Sequence, residues 1–170
     1  LQPELQKISV LMQQGQLAAA EERLRLFLRK TPLNAIAHRL LGDILFSRQQ
    51  WRQALESYQR SLSLRLSLEA LAGMGKTAET LRINELAEQC YRGALAQAPK
   101  SAELKYRLAV VLSGNKDKAD EAVQLLGAAI QQGFQQKQAY LLISHIAQRW
   151  LKNFDMAFNA ASKALEVDPQ

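Results

Sequence analysis

Five alanines recur at nearly constant spacing along this chain: Ala20, Ala54, Ala87, Ala122 and Ala157, separated by 34, 33, 35 and 35 residues. Eight residues after each stands a large aliphatic side chain: Leu28, Leu62, Leu95, Ile130 and Leu165. Twelve residues after three of them stands a proline, at Pro32, Pro99 and Pro169. A fixed period near 34 residues marks a stack of repeating units, each covering the apolar face of its neighbour. The comb therefore constrains the fold before any local reading does, and it names no ligand.

Each period has room for two helices and a turn. The chain is 48% apolar and only 6% aromatic, rich in Ala, Leu and Gln, a mixture that favours helix over strand. The first unit predicts a turn at Gly15-Gln16, a second helix over Leu17–Lys30, and a stop at Thr31-Pro32. The stop follows because the residue before proline avoids the helical region and proline lacks an amide donor. A small residue at each comb position lets two helix backbones approach at a crossing, and alanine does so at no cost in helix propensity. Gly42 and Gly75, twelve residues before the second and third alanines, serve the same purpose on the partner helices.

The strings Leu41-Gly42 … Trp51 … Ala54 … Tyr58 … Leu62 and Gly75 … Ala87 … Tyr91 … Ala94-Leu95 … Pro99 resemble the tetratricopeptide repeat. So does Phe154 … Ala157 … Ala164-Leu165-Glu166-Val167-Asp168-Pro169. The resemblance covers the whole chain in five units, about 1–34, 35–67, 68–101, 102–137 and 138–170. It implies an all-α fold: one right-handed α-solenoid domain of about ten antiparallel helices. The fourth unit lacks the proline, and Gly133 is its expected helix stop. His145 occupies the slot of Gly42 and Gly75, where a packed side chain is expected.

Net charge is +6, spread as 12 Lys+Arg against 8 Asp+Glu in residues 1–85 and 10 against 8 in residues 86–170. Such dispersion disfavours nucleic acid, which needs clustered cations and exposed stacking aromatics. The single Cys90 permits no internal disulfide and reads as a small core residue. His38 and His145 lie about three units apart, too distant to share a metal in a linear stack. Gly73-Met74-Gly75-Lys76-Thr77 superficially resembles a phosphate loop but lacks the strand and loop that precede one. No catalytic, cofactor or metal site is implied, and no small-molecule substrate. No signal peptide or membrane-length apolar run is present, which leaves cytoplasm and periplasm open. The chain begins at Leu1 without methionine and ends at Gln170 after Pro169, so it reads as a segment of a longer protein.

In this family the first helix of each unit lines the concave surface where ligand peptides lie. Counting back from each alanine gives Leu5, Ser9 and Met12; Arg39, Asp43 and Phe46; Ala72, Lys76 and Glu79; Tyr106, Arg107 and Val110; Leu142, Ile146 and Arg149. The partner-binding candidates are Arg39, Asp43, Phe46, Lys76, Tyr106, Arg107 and Arg149, suited to a peptide with acidic and apolar side chains. Family members that hold chaperone tails use asparagines where Ser9 and Leu40 stand here, which argues against that role. The expected function is a protein-interaction scaffold, in the style of bacterial envelope assembly factors of pilus biogenesis or polysaccharide export. The alternative is an accessory arm of a larger enzyme such as a transferase. The last helix, about Asp155–Val167, carries Phe158, Ala161 and Leu165 with nothing following to cover them, which predicts self-association through that end.

Overall fold

A computed structural model describes residues 3–168. Leu1, Pro169 and Gln170 lie outside the described residues. Ten α-helices occur among them: α1 (Pro3–Gln13), α2 (Leu17–Lys30), α3 (Ala35–Ser47), α4 (Trp51–Leu64), α5 (Leu68–Thr80), α6 (Asn84–Gln97), α7 (Ala102–Leu112), α8 (Ala119–Gln131), α9 (Gln136–Ile146) and α10 (Phe154–Val167). A short 3-10 turn (Lys116–Lys118) precedes α8, and a π-helical turn (Ala147–Leu151) follows α9. The chain divides into two compact units, the first ending at Cys90 and the second starting at Tyr91, a boundary that falls within the residues of α6.

Local chemistry sets the boundaries. Asn34, Ser67, Ser101 and Asn153 each accept a hydrogen bond from the backbone amide three residues on, capping α3, α5, α7 and α10. α2 spans the residues the sequence predicts and stops before Thr31-Pro32. Gly133 ends α8 at φ +72°; its amide bonds the Ile130 carbonyl and the Phe134 amide bonds the Ala129 carbonyl.

The turn inside a helix pair follows one rule. The residue five before the comb alanine is left-handed in four of the five units: Gly15, Gln49, Arg82 and Lys152, at φ 73°, 61°, 58° and 54°. Only the first unit uses glycine there. A Cβ on Gly15 would meet nothing within 4 Å, so substitution there costs backbone strain alone. We expect Gly15→Ala to destabilise the chain by about 1 kcal/mol in chemical denaturation.

All five comb alanines are buried. In the first unit Ala20 and Ala54 join Leu5, Ile8, Leu24, Ala37, Leu40, Leu41, Ile44, Leu45, Tyr58, Met74 and Cys90 in one core. Burial pushes the Cys90 thiol up to about 11, so it stays protonated and packs as a small apolar group. In the second unit Leu104, Leu108, Leu112, Ala122, Leu126, Ala129, Ile143 and Ile146 are buried.

One carboxylate ties α2 to the end of α3. Glu21 is largely buried, with Arg25 Nε at 2.8 Å and Arg48 Nη1 on its other oxygen. Burial alone would raise its pKa; the hydrogen bonds and charges of Arg25 and Arg48 outweigh burial and lower it below its ordinary 4.5. A lowered folded pKa contributes stability above the unfolded value, lost as pH falls through the folded one. Glu21→Gln should therefore cost about 1–2 kcal/mol at pH 7, with the difference from wild type shrinking below about pH 4. Urea titrations at both pH values check this.

Candidate functional site

In the first unit α3 places Arg39, Asp43 and Phe46 at positions i, i+4 and i+7, hence on one face. α5 brings Lys76 beside them. Arg39 Nη1 donates to Asp43 Oδ2 at 2.5 Å, and Tyr58 Oη, from α4, donates to Asp43 Oδ1 at 2.7 Å. Lys76 Nζ sits 4.9 Å above the Phe46 ring. The four residues expected from sequence on this unit thus form two linked pairs on neighbouring first helices.

The electrostatics differ from a simple set of cations. Burial pushes the Asp43 carboxyl above its usual range, aided by the Glu69 charge and opposed by the Tyr58 hydrogen bond and Arg39. Burial, then the Asp43 charge, drives the Tyr58 phenol well above its ordinary value, so it remains a donor. Arg39 spends its charge on Asp43. Lys76, exposed above an aromatic ring, is the cation presented outward.

Tyr58 is a repeat position by spacing, but spacing did not reveal what it touches. Its ring lies against Gly42 of α3 and Gly73 of α5; a Cβ at either glycine would come within 2.7 Å or 2.6 Å of ring atoms. Gly73 therefore admits a tyrosine, not a phosphate. The segment Gly73–Thr77 lies inside α5, with Thr77 Oγ1 donating to the Gly73 carbonyl at 2.7 Å.

The second unit scatters its candidates. On α7 Tyr106 packs edge-on against Phe134, with ring centroids 5.8 Å apart, and Arg107 Nε bonds Glu103 Oε1 at 3.0 Å. As neighbours in a helix, Tyr106 and Arg107 point about 100° apart. Arg149 is not on the regular face of a first helix: α9 ends at Ile146, and Arg149 lies in the π-helical turn with its guanidinium 4.5 Å over the Trp150 ring. The Trp150 indole donates to the Ser113 carbonyl at 2.8 Å, tying that widened turn to the end of α7. A cleft of about 540 Å³, unforeseen from offsets, lies between α9 and α10; Tyr140, Ile143, Met156 and Ala160 line it, and Lys163 Nζ sits 5.9 Å from the Tyr140 ring.

Three expectations need correction. Leu5 and Ile146, placed on the partner face by offset, are fully buried core residues. Each faces helices of its own unit, because the offset fixes a position along the helix and not its rotation against neighbours. His145, expected to be packed, is exposed. At Gly42 the same slot is covered by the Tyr58 ring, whereas His145 turns outward. His38 sits partly exposed, with Nε2 2.9 Å from the Pro32 carbonyl oxygen.

Among the described residues no group of three His, Cys, Asp or Glu could hold a metal ion, and no helix is long and apolar enough to cross a membrane.

The family model described as tetratricopeptide repeat matches residues 5–71 and 73–136. No curated protein matches the chain. Solved structures do. YrrB, described as a TPR protein with an unusual peptide-binding site, superposes with TM-score 0.92 at 17% identity, over 99% of this chain and 87% of that one. A MamA structure gives TM-score 0.86 at 21% identity, over 98% and 90%. MamA from Desulfovibrio magneticus RS-1, residues 41 to its end, gives 0.88 at 16%, over 98% and 93%. At such identities the likeness shows the fold alone, an α-solenoid of paired helices.

Proposed function

Because the chain belongs to the tetratricopeptide repeat family, we propose that it is a protein-interaction module that holds a partner protein or peptide on its first helices. The observation that carries this reading is the Arg39–Asp43 and Phe46–Lys76 arrangement. It joins an outward cation to a half-buried aromatic on two adjacent first helices, with the rigid Tyr58 contact beneath. A partner segment with an acidic side chain next to an apolar one matches it: the acid meets Lys76 and the apolar group meets Phe46. Tyr106, Arg107 and Arg149 are proposed to extend recognition in the second unit. YrrB, similar in fold and described as having a peptide-binding site, supports a peptide as one form of partner. The Gln- and Ala-rich composition is the support for placing the chain in bacterial envelope assembly. The exposed face of α10 supports self-association as a second mode.

The test is selection from a random peptide library displayed on phage. Selected peptides should be enriched in Asp or Glu beside Phe, Leu or Ile, and Lys76→Glu should weaken the best of them about tenfold or more. Failure to select any peptide, or selected peptides indifferent to Lys76→Glu and Phe46→Ala, would overturn the reading.

A further inference from the structure

The positive charge of this chain is concentrated on three helices. Residues 17–65, from α2 to the end of α4, carry nine Lys+Arg against four Asp+Glu, a net +5 of the chain's +6. Eight of the nine are arginines. Some are answered within the fold: Arg39 by Asp43, and Arg25 and Arg48 by Glu21. Arg29, Lys30 and Arg65 are exposed and form no ion pair among the described residues. Beside them stand two leucines in one repeat slot. Leu33 and Leu66 each precede the residue that caps a first helix, Asn34 of α3 and Ser67 of α5. An apolar residue there commonly folds back onto the helix it precedes. Here the two are 69% and 67% exposed. The slot before the next such cap, Ser101, holds Lys100. Both leucine loops lie on the same edge of the first unit. Arg65 and Ser67, on either side of Leu66, line a recess with Ala35, two residues past Leu33, and Ser61 Oγ donates to the Ala35 carbonyl at 2.8 Å.

We propose that this edge docks on the surface of an anionic lipid bilayer, with Leu33 and Leu66 entering the interface and Arg29, Lys30 and Arg65 meeting headgroup phosphates. Apolar side chains and a basic patch are the two signals that together hold a protein on such a surface, and either alone binds weakly. Arginine suits phosphate because its planar fork can donate two parallel hydrogen bonds. The shape of the edge favours a bilayer over a peptide or a folded partner. The recess beside the leucines has only about 20 Å³, too little to seat a partner's side chain. A folded partner would need preformed hollows for both leucines, whereas a lipid interface deforms around them. Glu69 is exposed at the same recess, and three cations outnumber its single charge. The edge lies at the start of α3, about 16 Å along the helix axis from Phe46, so docking leaves the Phe46–Lys76 pair open to a protein partner.

Flotation of the 170-residue chain with lipid vesicles reads the outcome. The chain should bind phosphatidylcholine vesicles that contain about 30% phosphatidylglycerol, and should leave vesicles of phosphatidylcholine alone unbound. The Leu33→Ser, Leu66→Ser double variant should weaken binding about fivefold or more, and the Lys30→Glu, Arg65→Glu double variant about tenfold or more. All four positions are exposed, so the helical circular dichroism of both variants should match that of the wild type. No binding to either vesicle, or equal binding to both, overturns the proposal. Binding to the anionic vesicles that the leucine variant leaves unchanged also overturns it, because contact by charge alone gives the leucines no part. Capture of polyglutamate or a duplex oligonucleotide, with the anionic vesicles left unbound, would assign the edge to another class of partner and overturn it as well.

Discussion

Tyr58→Ala should cost about 3–5 kcal/mol of unfolding free energy, the largest single effect expected in this chain. The ring is almost fully buried, lies against two helix backbones at Gly42 and Gly73, and ends in a hydrogen bond to Asp43. Truncation leaves a cavity lined by α3, α4 and α5, and those helices cannot collapse into it without moving their crossings. Tyr58→Phe separates the two contributions. It keeps the packing and removes the donor from a half-buried carboxylate, for an expected loss of about 1–2 kcal/mol. Urea unfolding of both variants followed by circular dichroism measures the difference. Equal losses would mean that the hydroxyl, and not the ring, holds the three helices together.

Gly73→Val is expected to be next, at about 2–3 kcal/mol. Its Cβ would sit 2.6 Å from Tyr58 ring carbons, far inside contact distance, and the Tyr58 ring is held by Asp43 and cannot swing away freely. The pair should be strongly non-additive. In the Tyr58→Ala background the valine enters the vacated space, so the double variant should be more stable than the sum of the two losses implies, by about 1 kcal/mol or more. Strict additivity would show that the two residues do not share that space.

The contrast between what spacing revealed and what it did not has a physical basis. Period and helix type were legible because close crossings need small residues at a fixed interval, and Ala20, Ala54, Ala87, Ala122 and Ala157 supply them. Thr31-Pro32 and Gly133 were legible as stops because proline and left-handed glycine act on the backbone alone. The left-handed turn residue was legible only at Gly15. Gln49, Arg82 and Lys152 adopt the same conformation with no glycine to signal it, held there by the helices on either side. The Tyr58 contact with Gly73 joins residues on different helices, so no count along the chain could find it. A glycine in mid-helix with no turn to make was the available clue.

For the candidate site, spacing put Arg39, Asp43 and Phe46 on one face of α3, and the structure sets Lys76 of α5 over Phe46, but spacing misjudged the charge. Arg39 and Lys76 looked equivalent. Asp43 answers Arg39, and only the fold, through Tyr58, shows how firmly. The offset failed at Arg149 because it falls in the π-helical turn after α9, and the Trp150 bond to Ser113 that fixes this turn spans the fourth and fifth repeats.

The claim that partners lie on the first helices is tested most directly by NMR. Amide shifts of the isotope-labelled chain would be followed during titration with a library-selected acidic–apolar peptide. The expected result is shift changes concentrated on α3 and α5 around Arg39, Asp43, Phe46 and Lys76, abolished in Lys76→Glu. Changes confined to the second helices α2, α4 and α8, with α3 and α5 silent, would contradict it.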